Sequence, residues 1–144
     1  MSEVKNFNPA NHNTFSPTYS HISRVPISAT HSIVSFAGQI GHDSATNSIP
    51  PTLGEQCSLA FANVDKCLEA AGATKKDIIQ VRQYVVGLLK RGEGGRGQDP
   101  ERAKRYLEWM GDLRPASTLL GVEALANEDL VYEIEVVCVV RNQQ

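Results

Sequence analysis

The stretch Leu130-Val-Tyr-Glu-Ile-Glu-Val-Val-Cys-Val-Val-Arg141 reads as one long β-strand. Its β-branched and aromatic residues suit a pleated, packed surface. Side chains alternate along a strand, so Tyr132, Ile134, Val136, Cys138 and Val140 share one side, which is unbroken apolar. The other side carries Val131, Glu133, Glu135, Val137 and Val139. It is too apolar for water, yet it bears two carboxylates pointing the same way. One sheet with both faces apolar needs a cover on each.

The rest of the chain supplies only one of those covers. Thr52-Leu-Gly-Glu55 has the form of a capping box, with Thr52 as N-cap and Glu55 reaching back. Apolar residues follow at 57, 60, 61, 64, 67, 68 and 71, a helical period, and Gly72 stops the run. Asp99-Pro100 opens a second helix as N-cap and N1, its apolar side running Ala103, Tyr106, Leu107 and Met110 to Gly111. Strands are expected over Tyr19–Pro26, His31–Ile40, Asp77–Leu89, Pro115–Ala124 and Leu130–Arg141, with residues 1–18 irregular and Lys90–Gln98 a Gly-rich loop. The order β-β-α-β-α-β-β predicts an α+β fold: a mixed sheet with two helices on one face. The uncovered apolar face predicts a partner subunit, and hence a homo-oligomer into whose interface Glu133 and Glu135 project.

At 144 residues the chain is read as one domain, 1–144, able to bury a core without disulfides or metal. The net charge of -2 leaves no polycationic surface and makes nucleic-acid binding an unfavoured reading. Cys57 and Cys67 stand roughly 15 Å apart along one expected helix, too far to bridge. With Cys138 they read as free buried thiols of a reducing compartment. The polar N-terminus lacks an apolar signal core and no run approaches membrane-spanning length, so a cytoplasmic location is expected.

Two carboxylates at i and i+2 on a strand can serve as general acid and base where partial burial raises a pKa toward neutrality. The same pair can also be solvated edge residues or partners in interface ion pairs. Gly92-Glu-Gly-Gly-Arg-Gly97 matches G-x-G-x-x-G in letters only, because the helix begins beyond its last glycine, at Asp99-Pro100. Its Lys90, Arg91 and Arg96 are able to attract an anion. His12, His21, His31 and His42 show no metal-ligand spacing, so no metal is expected. Ser35, Ser117 and Thr118 lie outside any nucleophile elbow.

Several segments, in order, resemble the RidA/YjgF family, also called the L-PSP endoribonuclease family: Tyr19 after a polar arm, Ala37-Gly-Gln-Ile-Gly41, Glu55-Gln56 with Asn63-Val64, Leu68-Glu-Ala-Ala-Gly72, Pro115-Ala116 and Glu133-Ile-Glu135. The resemblance implies a chorismate-mutase-like α+β fold and a homotrimer with ligand clefts between subunits. It also implies cofactor-free hydrolysis of enamines or imines, such as 2-aminoacrylate, to a carbonyl compound and ammonia. Glu133 matches the acid/base glutamate, Tyr19 the cleft tyrosine and Gly38 the cleft glycine, with Ala37 where serine is frequent. Arg114-Pro-Ala-Ser-Thr118 departs from the pattern. Ser117 stands where the resemblance expects an arginine that clamps a substrate carboxylate, with Thr118 beside it. A hydroxyl cannot replace a bidentate guanidinium. The resemblance therefore leaves two readings besides the hydrolase: a ligand-binding or regulatory trimer without catalysis, and, less favoured, an endoribonuclease.

Overall fold

The long C-terminal strand lies at the centre of the sheet. In the computed structural model, which describes residues 3–143, it is β7 (Tyr132–Arg141). Preceding it are β1 (Lys5–Phe7), β2 (Ile22–Pro26), β3 (His31–Phe36), β4 (Gln39–Ile40), α1 (Leu53–Ala70), β5 (Ile78–Val86), α2 (Pro100–Met110) and β6 (Ala116–Val122). The sheet runs β1-β2-β3-β7-β5-β6, and β4 also pairs with β7. Among the strand pairs of the described residues, only β5–β6 is parallel. The fold is α+β with a mixed sheet, as expected.

Burial alternates residue by residue along β7. Tyr132, Ile134, Val136, Cys138 and Val140 are fully or almost fully enclosed and join Cys57, Ala60, Phe61, Val64, Cys67 and Leu68 of α1 in the core. Phe61 stacks on Trp109 and meets Tyr106 and Tyr132 edge-on, which ties α1, α2 and β7 together. The opposite parity of β7 is only half-buried. Leu120 of β6 is 46% exposed on that side of the sheet. The second apolar face is thus uncovered within one chain.

Thr52 caps α1: its hydroxyl accepts from Glu55 N at 3.2 Å. The expected reciprocal half is different. The Glu55 carboxylate accepts from the Thr52 hydroxyl at 3.0 Å instead of reaching the backbone N–H. Gly72 ends the helix with φ 68, and Ala73 N closes onto Leu68 O at 2.9 Å.

Three expectations are corrected by the structure and a fourth, the Gly-rich loop, gains detail. Part of the N-terminal arm is not irregular, because β1 finds the free edge of β2. The expected strand His31–Ile40 is two strands, broken at Ala37-Gly38, with both pieces paired to β7. Tyr19 lies in the loop before β2, not in the strand. The Lys90–Gln98 loop contains a short 3-10 turn and a Lys90–Gly97 bridge. Strand ends elsewhere are trimmed by one to three residues. All three cysteines are free and buried, as read from spacing. No helix among the described residues is long and apolar enough to cross a membrane.

Candidate active site

The break between β3 and β4 builds the site. The chain keeps its direction along β7 here, but the register slips by one residue between Ser35↔Val137 and Gln39↔Ile134, and this places Gly38 directly over Glu133. A Cβ on Gly38 would stand 2.6 Å from Glu133 Cδ and 2.8 Å from its Cγ. Real Cβ atoms do not approach so closely, so this position accepts only glycine while Glu133 keeps its place. Glu133 lies across from Ile40 on β4 and from Tyr84 on β5.

The segment is held from beneath by α1. Asn63 Nδ2 donates to Ile40 O at 2.9 Å and to His42 O at 3.0 Å. Gln56 donates to Pro50 O and Asp129 O and accepts from Val131 N, all within 3.0 Å. Gly41 lets the helix come close, because a Cβ there would lie 2.6 Å from Gln56 Cα. Buried amides on α1 thus satisfy loop carbonyls that would otherwise be orphaned.

The N-terminal arm closes the other side. Gln39 is 1% exposed and acts as the arm's anchor. Its Nε2 donates to Ala37 O at 2.9 Å and to His21 Nδ1 at 3.0 Å. That fixes the amide, so Oε1 accepts from His12 Nε2 at 2.8 Å. His21 Nε2 donates to Asn13 O at 3.0 Å. The two imidazoles stack at 3.9 Å and 12°. Burial pushes His12 down to about 4 and lowers His21 as well, so the pair is neutral near pH 7. Tyr19 leads out of this network, its hydroxyl oxygen accepting from Phe15 N at 3.1 Å.

Together these elements enclose a groove of ≈ 360 Å³ lined by Phe15, Thr18, Tyr19, Ala37, Gly38, Ile40, Leu130 and Glu133. Glu133 is the acid of this groove. Burial, then the neighbouring Glu135 charge, raises its pKa. Tyr19 is raised too, chiefly by burial. Glu135 has a different setting: it accepts a short hydrogen bond from the Tyr84 hydroxyl, which this bond and burial push up to about 12. A larger groove of ≈ 580 Å³ lies at the C-terminal end of α1. Its Arg24 is already bonded to Ala71 O, and the helix terminus there presents carbonyls.

The structure brings Tyr19, Ala37, Gly38 and Glu133 together. It places Ser117 and Thr118 elsewhere. Both are on β6, two strands from β7. Thr118 lies opposite Arg82, on the open face with Glu135. Ser117 lies opposite Val81, on the helix-covered face, where Gln83 Nε2 donates to its hydroxyl at 3.4 Å.

The family profile described as Endoribonuclease L-PSP matches residues 15–140. The chain belongs to this family, the RidA/YjgF group. A RutC family protein of Aquifex aeolicus is 31% identical over 105 residues, covering 72% of this chain and 77% of the relative. Among solved structures, a proposed endoribonuclease L-PSP of Entamoeba histolytica superposes with a TM-score of 0.76 at 20% identity, covering 96% of this chain and 100% of the other. RidA from an Antarctic Psychrobacter gives 0.72 at 21%, covering 90% and 94%. At such identities the superpositions speak for the fold alone.

For this L-PSP family member, the segments that carry the likeness have structural reasons. The glycines of Ala37–Gly41 admit Glu133 and α1, and Gln56 and Asn63 anchor the loops. The buried histidine network went unread in the sequence, because His12 and His21 show no mutual spacing rule. Its one signal was Gln39, an amide inside a short apolar strand. Ligand atoms of His12, His21 and Cys67 lie within 4.8 Å of one another. Stacked rings keep their in-plane lone pairs in two separate, nearly parallel planes, and both His21 nitrogens are committed. A shared ion would have to break the Gln39 or the Asn13 bond, and burial pushes the Cys67 thiol up to about 12.

Proposed function

We propose that this L-PSP family protein is a metal-free hydrolase of small enamines or imines, using Glu133 and water in clefts between the subunits of a homotrimer. The single observation that carries the reading is Glu133: half-buried, raised in pKa, pressed against Gly38 and open to a groove of small-molecule size. A carboxyl whose pKa is raised above the ordinary carboxylate value holds its proton more readily and can serve in turn as general acid and general base. In its protonated form Glu133 delivers a proton to the enamine carbon, giving the iminium. As carboxylate it takes a proton from water while the water oxygen bonds to the iminium carbon. Glu133, protonated again, then gives its proton to the carbinolamine nitrogen, the C–N bond breaks to release ammonia, and the hydroxyl proton returns to the Glu133 carboxylate as the C=O bond forms. For 2-aminoacrylate the sum is addition of one water and release of pyruvate and ammonia. The uncovered apolar face of the sheet supports the oligomer.

Ammonia release from 2-aminoacrylate generated in situ tests this. Wild type is expected to exceed the spontaneous rate and Glu133→Gln to fall at least about 100-fold, the usual span for loss of a general acid/base. A wild-type trace equal to the protein-free control would sink it. Ser117 favours a second reading, a ligand-binding trimer without catalysis, which that result would support. The RNA-cleaving reading has the net charge of -2 against it.

A further inference from the structure

Arg102 projects from the first turn of α2 over the edge formed by β5 and β6. Its Nη1 donates to Gln83 Oε1 at 3.0 Å, and its Nη2 makes a long 3.5 Å contact with Gln98 Oε1. Both acceptors are neutral amides. Among the described residues the one ion pair within 4.0 Å is Arg105–Glu101, so the Arg102 charge has no carboxylate beside it. Its Nε–H is buried and without a partner. Gln83, 2% exposed, holds the guanidinium in place, since its Oε1 also accepts from Tyr132 Oη at 2.8 Å and its Nε2 reaches Ser117. One helical turn further on, the buried Tyr106 hydroxyl lies near Ser117 but completes no hydrogen bond.

A half-buried cation anchored only by neutral groups keeps its charge uncompensated. Unused buried donors beside it have lost water and gained nothing. The Nε–H and Nη2–H groups form one edge of the guanidinium, the planar fork that matches the two oxygens of a carboxylate. Nη1, on the other side, is the group committed to Gln83. The exposed Gln98 side chain reaches Nη2 at 3.5 Å, the limit of hydrogen bonding. β6 is the outer strand of the sheet, so the place opens at an edge and not inside the core.

We propose that Arg102, with the hydroxyls of Ser117 and Tyr106, forms a carboxylate-binding site at the β6 edge. A ligand oxygen pair displaces Gln98 and takes the Nε/Nη2 fork. The side chain at position 117 faces this same place, so the charge is delivered from helix α2 and not from the strand. Glu133 of the same chain lies on the opposite sheet face, two strands away. One ligand therefore reaches Arg102 of one copy and Glu133 of another. That last step rests on the homotrimeric hydrolase proposed above; the anion site itself does not.

Pyruvate and its neutral amide, pyruvamide, are the probes. Titration of wild type with pyruvate, followed by NMR of the guanidinium Nε–H signals, is expected to shift that of Arg102, whereas pyruvamide leaves it unmoved. Arg102→Met is expected to weaken pyruvate about 10-fold or more, the scale of one charge-assisted bidentate pair. Placing the charge back on the strand, in Arg102→Met with Ser117→Arg, restores binding. The proposal is overturned by a folded Arg102→Met that binds pyruvate as wild type does. It is equally overturned by an unmoved Arg102 signal at saturating pyruvate, which decides the matter even where the variant fails to fold. Inorganic phosphate competing as well as pyruvate would overturn the carboxylate assignment. Arg102-dependent pyruvate binding without ammonia release refutes only the hydrolase, and ammonia release from an acid substrate indifferent to Arg102→Met refutes only the site.

Discussion

Glu133 and Glu135 project from the same face of β7, two residues apart, and their surroundings make them different acids. Glu133 sits under Gly38 in a groove with Tyr19, while Glu135 accepts from the Tyr84 hydroxyl. The raised pKa of Glu133 has a consequence for stability. The fold favours its neutral form, so the stability it contributes is whole below the ordinary carboxylate value of 4.5 and is lost as pH rises through the raised value. Glu133→Gln is neutral at every pH. It is expected to melt above wild type at pH 7, with the gap closing below pH 4.5, as thermal melts across that range would show. A gap independent of pH would mean that Glu133 is not raised. The two acids were visible in the alternation of one strand. Their difference was not, because Gly38 and Tyr84 come from other strands.

At the scale of elements, the close approach of α1 to β4 positions the groove. Gly41 permits it, since a Cβ there meets Gln56 Cα and Cβ, atoms fixed to the helix backbone that cannot swing away. Gly41→Ala is expected to cost about 1–3 kcal/mol, the usual penalty of overpacking, measured as a shift in denaturant midpoint at constant slope. It also moves Ile40 and with it the floor beside Glu133, so catalytic loss accompanies the destabilisation. A variant as stable as wild type would show that helix and strand are free to part. Both helices, their caps and the C-terminal strand were legible from period and capping residues, because those signals are local. The division of His31–Ile40 was not, since two short strands pairing with one long neighbour differ from one strand only in where that neighbour lies. Likewise β1 exists because β2 offers an edge, and nothing in Lys5–Phe7 alone requires it.

At the scale of the whole molecule, one sheet face is packed beneath two helices and the other is not. Val137 and Val139 continue the side of β7 that carries the two acids, and both are half-buried. Val137→Asp puts a charge where the proposed subunits meet but outside the core of one chain. It is expected to reduce the sedimenting species to a single chain while far-ultraviolet circular dichroism is retained, and to abolish any ammonia release. A wild-type protein that sediments as one chain would remove the clefts altogether. Sequence by itself determined the α+β class, the apolar strand at its centre, the positions of both helices and the presence of two aligned carboxylates. Each of these is set by residues within a few positions of one another or by simple periodicity. Tertiary structure alone decided that Gly38 lies on Glu133, that His12 and His21 stack on Gln39, and that Ser117 faces Gln83 and Tyr106 beneath Arg102. Those juxtapositions join residues far apart in the chain, and their distances follow from how strands and helices pack.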